Sequence, residues 1–304
     1  MNILTNKNKN GIKIILSIFA VYAVCLLFRC LEYFLIRTDQ TFFGEAFIHK
    51  LLGIAVCFLS LFFLHIKPPE AGFRVRRAPK YLLYGAILGI SVYILAYGIE
   101  LIILAVTGKS PSLQFYVTSY SVDGNMGNQT GFLFFVLCIA GNIINVVMEE
   151  GVFRGLFLKL AEKKYNFFIA VIISSVLFGL WHFIAPIRSY IDGERSLGGM
   201  FMMMIMLFFA TGITGAKFCL LTKMTGSLWL PMTDHFINNT IVNILHIGSI
   251  SGIDELQTVR VAIAQTISFI IVLIIFIKGK YYKKPTFEIP TPETQDNAAM
   301  GEKQ

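Results

Sequence analysis

Charge is what this sequence is short of. Only 14% of its 304 residues are Asp, Glu, Lys or Arg, against 56% hydrophobic and 14% aromatic, where an ordinary soluble domain is about a quarter charged. That scarcity excludes a soluble enzyme. Cysteines are few as well. Cys25, Cys30, Cys57, Cys138 and Cys219 are odd in number, sit inside apolar stretches and form no CxxC pair, which argues against a disulfide framework and against a thiolate zinc site. The net charge of +8 does not point to nucleic acid, because Lys and Arg stand in short clusters between apolar segments, as orienting charges of membrane helices do. No fixed-period repeat or low-complexity tract is present.

What the sequence has instead is a series of apolar runs, each long enough for a helix to cross a hydrocarbon layer about 30 Å thick. The runs predict an all-α, polytopic membrane helix bundle of about eight transmembrane helices. The first is uncleaved and ends at Ile36; the others cover about 43–66, 81–106, 131–160, 166–184, 197–221, 227–247 and 259–278. Basic residues divide unequally between alternate loops, seventeen on one side and six on the other. Both termini are therefore expected in the cytoplasm, with loops 107–130 and 248–258 facing outward. Residues 1–284 read as one integral membrane domain, and 285–304 as a disordered cytoplasmic tail.

An ionisable residue in a membrane interior is costly unless it is paired or wet, so each is a functional candidate. Several have ordinary explanations. Arg29 and Glu32 are spaced to pair with each other, His49, Lys50 and His65 lie near segment ends, Glu100 reads as a boundary carboxylate, and Asp234 as a helix cap with Thr233. The rest cluster by type. In GNIINVVMEEGVFRG, Asn142, Asn145 and Glu149 share one helical face, while Glu150 precedes Arg154 by four, the favoured order for an ion pair. That leaves Glu149 free. FGLWH places Phe178 and His182 four apart, and HFINN does the same for His235 and Asn239, in a segment too polar for lipid.

A carboxylate and two imidazoles on three helices, with an amide beside one of them, are parts for water activation and oxyanion stabilisation. Glu149, His182 and His235 also match a zinc ligand count with an open fourth position. Neither HExxH nor G-x-S-x-G occurs. The sequence requires no cofactor; zinc is the one candidate, and the spacing alone leaves the choice open.

These motifs resemble those of the CPBP (Abi) family of CAAX proteases and bacteriocin-processing intramembrane endopeptidases. EEGVFR (Glu149, Glu150, Arg154) matches EExxxR, FGLWH (Phe178, His182) matches FxxxH, HFINN (His235, Asn239) matches HxxxN, and the matched core covers about 130–247. The resemblance implies that Glu149 and His182 activate water, that His235 and Asn239 hold the oxyanion, and that Glu150, Arg154 and Phe178 support the site. It implies a membrane protein or peptide as substrate, a multi-pass place in a plasma membrane that is bacterial by its short loops and Lys- and Asn-rich N-tail, and a use in peptide processing or self-immunity. A transporter, or a non-catalytic immunity or binding protein of the same fold, are the alternatives; the first is disfavoured by the lack of paired inverted repeats with broken helices. The sequence carries no signal of oligomeric state.

One geometric condition follows. His182 lies about 24 Å along its helix from the cytoplasmic start, so Glu149 reaches its level only if the fourth helix tilts or projects well beyond the membrane. For the topology, reporter fusions after residues 73, 118 and 290 should read inside, outside and inside; an outside signal at 290 would mean a miscounted helix.

Overall fold

The computed structural model describes residues 2–118, 128–248 and 254–283, with side chains from Ile12 onward. The expected helices are present. They are α1 (Asn2–Leu31), α2 (Ile48–Phe63), α3 (Ala78–Val106), α4 (Phe132–Glu149), α5 (Leu158–Glu162), α6 (Phe167–Trp181), α7 (Ile184–Ile191), α8 (Leu197–Thr225), α9 (Trp229–Ile244) and α10 (Gln257–Lys278). A π-helical turn, Glu32–Ile36, carries the first helix to its expected end, and a longer one, Glu150–Phe157, joins α4 to α5. Among the described residues six helical spans are long and apolar enough to cross a membrane; α2 and α9, at 16 residues each, rise only about 24 Å. The short α9 packs on α3, α4 and α8. Its polar residues therefore meet protein. The tail expected over 285–304 and parts of both outward loops lie outside the described residues.

Two features depart from the expected outline. The seventh helix stops at Ile244, and Leu245–Gly248 becomes strand β2, paired antiparallel with β1 (Ser112–Phe115) from Phe115 opposite Leu245 to Ser112 opposite Gly248. The fifth helix breaks after Trp181 and resumes as α7.

The depth condition on Glu149 is met by the length of the helical stretch that follows it. The chain runs helically from Phe132 to Glu162, turns, and returns as α6 from Phe167. Glu149 thus stands 13 residues before the turn and His182 15 residues after it, so the two lie at nearly one level.

Several charged groups find partners that local spacing does not suggest. Arg29 and Glu32 do not pair: Glu32 takes the Thr38 hydroxyl, His49 Nδ1 at 2.5 Å and the His49 backbone N–H at 2.6 Å. His49 and Lys50 are buried rather than interfacial, the latter 2.6 Å from Glu45. Glu100 is no boundary carboxylate but lies 2.6 Å from Arg260, which also grips Asp254. Lys217 is buried within α8 and pairs with Asp234 at 2.6 Å, so Asp234 is an ion-pair partner and not a cap. Glu100 and Lys217 thus meet a charge on another helix, whereas Glu32 is satisfied by hydrogen bonds and Lys50 by Glu45 of the preceding loop.

α3 and α9 approach closely because Gly85 and Gly89 form a small-xxx-small surface. A Cβ at Gly85 would lie 2.6 Å from the Leu230 carbonyl oxygen, and one at Gly89 would lie 2.8 Å from Ile237 Cγ2. Gly98, on the same helix, has nothing within 4 Å. Gly85→Ala should therefore cost about 1–3 kcal/mol by overpacking, read as a lower unfolding midpoint in detergent, whereas Gly98→Ala should cost nothing or stabilise.

Candidate active site

The π-helical stretch Glu150–Phe157 is buried along its whole length, and π segments are often found at functional sites. It sets Glu150 against two partners. Arg154 Nη1 lies 3.2 Å from Glu150 Oε1, and His235 Nδ1 lies 2.9 Å from the same oxygen. The expected Glu150–Arg154 pair is thus present, with an imidazole added from α9.

Arg154 is held by rings as much as by charge. Its guanidinium carbon lies 4.0 Å from the centroid of Phe178 and 5.2 Å from that of Phe218, distances at which cation–π attraction is significant. Phe178 also meets His182 edge to face at 4.8 Å and His235 at 6.4 Å. One phenyl ring therefore touches the arginine and both histidines. Phe218 stacks on the His235 ring at 5.0 Å.

Glu149 is not free, although it faces as expected. Its Oε2 accepts from Asn145 Nδ2 at 3.3 Å and lies 3.7 Å from His235 Nε2; its Oε1 accepts from Trp181 Nε1 at 3.1 Å. Trp181 in turn lies under Arg29, whose guanidinium carbon is 4.5 Å from the indole. The signal for Trp181 was in the sequence, since a buried indole N–H needs an acceptor and FGLWH puts it next to His182. Phe218 gave no such signal.

His182 bonds through Nδ1 to the Phe178 carbonyl at 2.8 Å, which leaves Nε2 for chemistry, and it sits within electrostatic reach of Glu149. His235 likewise commits Nδ1, as donor to Glu150, and turns Nε2 toward Glu149. Asn239, one helical turn beyond His235, accepts from Asn238 Nδ2 through its own Oδ1 at 2.9 Å. Its N–H pair is the end left for another acceptor. Asn142 reaches toward Thr240 and Asn243 at 3.4 and 3.5 Å, joining α4 to α9 beside the site.

Glu149 on α4 and His235 on α9 thus come within 3.7 Å, with His182 at the C-terminal cap of α6 sharing the Phe178 ring with His235 and Asn239 one turn beyond His235. Among the described residues no three His, Cys, Asp or Glu side chains converge as a set that could hold a metal ion, and both Glu149 oxygens already accept hydrogen bonds.

Residues 131–241 match the family described as type II CAAX prenyl endopeptidase Rce1-like. The motif-bearing stretch is similar to this family. The match begins at α4 and ends within α9, so it contains Glu149, Glu150, Arg154, Phe178, Trp181, His182, Phe218, His235 and Asn239. The Bacillus subtilis (strain 168) protein named "Putative membrane peptidase YdiL" is 26% identical over 158 residues, which is 50% of this chain and 56% of that relative's length. The chain thus matches little more than half of that relative. Outside the Rce1-like core, Arg29, Tyr93, Gln265 and Ser268 reach the core from α1, α3 and α10.

Removing Arg154 would leave Glu150 buried beside a single imidazole. Arg154→Ala should destabilise the fold by about 3–5 kcal/mol, and Arg154→Lys should recover only part of that, since an ammonium keeps the charge but not the planar stack on Phe178. Unfolding midpoints of the purified variants in one detergent check both.

Proposed function

We propose that this chain is an intramembrane endopeptidase that hydrolyses peptide bonds of membrane-associated proteins or peptides. The observation that carries the reading is the convergence of Glu149 with Trp181, Asn145 and His235 Nε2, one turn from an Asn239 amide whose N–H pair is uncommitted, inside an Rce1-like core.

The chemistry follows from these groups. Glu149, aided by His182, takes a proton from water as the oxygen attacks the scissile carbonyl. The carbonyl oxygen becomes an oxyanion and receives hydrogen bonds from Asn239 and from His235 Nε2–H. His235 is set for this by Glu150, 2.9 Å from Nδ1, while its Nε2 faces Glu149 at 3.7 Å. The proton held on Glu149 then passes to the amine as the C–N bond breaks, and the carboxylate is restored. Trp181 and Asn145 fix the carboxylate before substrate arrives, so little reorganisation is needed. Glu150, Arg154 and Phe178 act by holding His235 and His182 in place.

The substrate lies in or against the plasma membrane of a bacterial cell in this reading. Peptide or bacteriocin processing and self-immunity are uses that the family resemblance implies for such hydrolysis.

The test uses purified protein in lipid nanodiscs with a quenched fluorescent membrane-peptide library. Glu149→Gln should abolish turnover while leaving the unfolding midpoint within a few degrees, and Asn239→Ala should lower kcat by about 10²–10³ with little change in KM. Turnover should survive slow chelator treatment. Retention of near wild-type turnover by Glu149→Gln would refute the general base, and one tightly held zinc per chain, lost with activity in His235→Ala, would replace the metal-free mechanism.

A further inference from the structure

The Asn239 amide is oriented from a distance. Lys217 on α8 is buried and ion-paired to Asp234 at 2.6 Å. An ammonium can only donate. It donates to Gln265 Oε1 of α10 at 2.8 Å, with Ser268 Oγ as a further acceptor at 3.2 Å. The Gln265 amide therefore presents its NH₂ the other way, to Asn238 Oδ1 at 2.8 Å, where the Tyr93 hydroxyl of α3 also donates at 2.6 Å. With its oxygen doubly taken, Asn238 turns its own NH₂ to Asn239 Oδ1 at 2.9 Å. Each link fixes the direction of the next, since flipping any one amide would set donor against donor or oxygen against oxygen.

We infer that Gln265 and Asn238 are positioning residues: a one-way hydrogen-bond chain from the buried Lys217–Asp234 pair holds Asn239 with its N–H pair toward the scissile carbonyl. The inference rests on the oxyanion role given to Asn239 above. It assigns part of the active-site geometry to α10, which lies outside the Rce1-like match.

A polar chain of this kind also joins α3, α8, α9 and α10, so activity loss alone would not separate positioning from packing. A double-mutant cycle does. In the nanodisc assay Gln265→Leu and Asn238→Ala should each lower kcat about tenfold or more with KM within about twofold, the pattern of an interaction made only in the transition state. Neither should lower kcat further in an Asn239→Ala background. Asn238→Asp, which cannot donate, should be worse than Asn238→Ala, because it draws the Asn239 NH₂ toward itself. Asn238→Ala cuts the chain one link nearer and keeps the test open where Gln265→Leu does not fold. If Asn239→Ala is impaired but the other variants keep wild-type kcat, or if their losses multiply with that of Asn239→Ala, the chain is structural only and the inference falls. If Asn239→Ala itself turns over normally, the oxyanion reading fails, and the positioning role fails with it.

Discussion

A single carboxylate, that of Glu150, ties the active-site helices together. It has no access to water, so its charge must be balanced by protein, and it is balanced from two directions: Arg154 one turn along its own segment, and His235 from α9, 85 residues later. Taking such a charge out of water costs several kcal/mol, which only close and well-placed partners offset. That requirement helps hold α9, which carries Asp234, His235, Asn238, Asn239 and Asn243 among its apolar residues, in the middle of the bundle. It also selects which His235 nitrogen faces Glu149, because a ring whose Nδ1 is committed has only Nε2 to offer.

The aromatic residues make this arrangement rigid. Phe178 meets Arg154 on its face and the two histidines at its edge, and Phe218 closes the other side of His235. Without water to solvate a guanidinium, ring faces are the partners that the surroundings can supply. The same logic recurs at Arg29, stacked on Trp181 and Tyr33, so the indole that donates to Glu149 is itself pinned from behind.

The helices and the site residues were legible in the sequence because both are local signals: apolar runs of membrane-spanning length, and polar residues spaced to share one helical face. The pairings between helices were not. Glu100 and Arg260 are 160 residues apart, and Arg188 and Asp39 149; nothing in either neighbourhood names its partner. Arg29 and Glu32 show the converse error. Their spacing allowed a pair, yet Glu32 is claimed by Thr38 and His49, which bring backbone as well as side-chain donors. Lys217 could have been suspected, since a lone lysine well inside an apolar helix needs a counter-charge. The packing of α3 on Gly85 and Gly89 could have been suspected too, because small residues four apart are how membrane helices come close without a hydrophobic driving force.

The two halves of the site are built on opposite principles. Around Glu149 and Glu150 the groups are charged or chargeable, and geometry is set by Coulomb attraction and ring stacking, both tolerant of small displacements. Around Asn239 the groups are neutral amides, which carry little net charge but a definite direction. An amide held in one orientation discriminates by position. The single ion pair that sets the direction, Lys217 with Asp234, is placed two amide links away from Asn239. Its donor polarity is passed along the chain through Gln265 and Asn238.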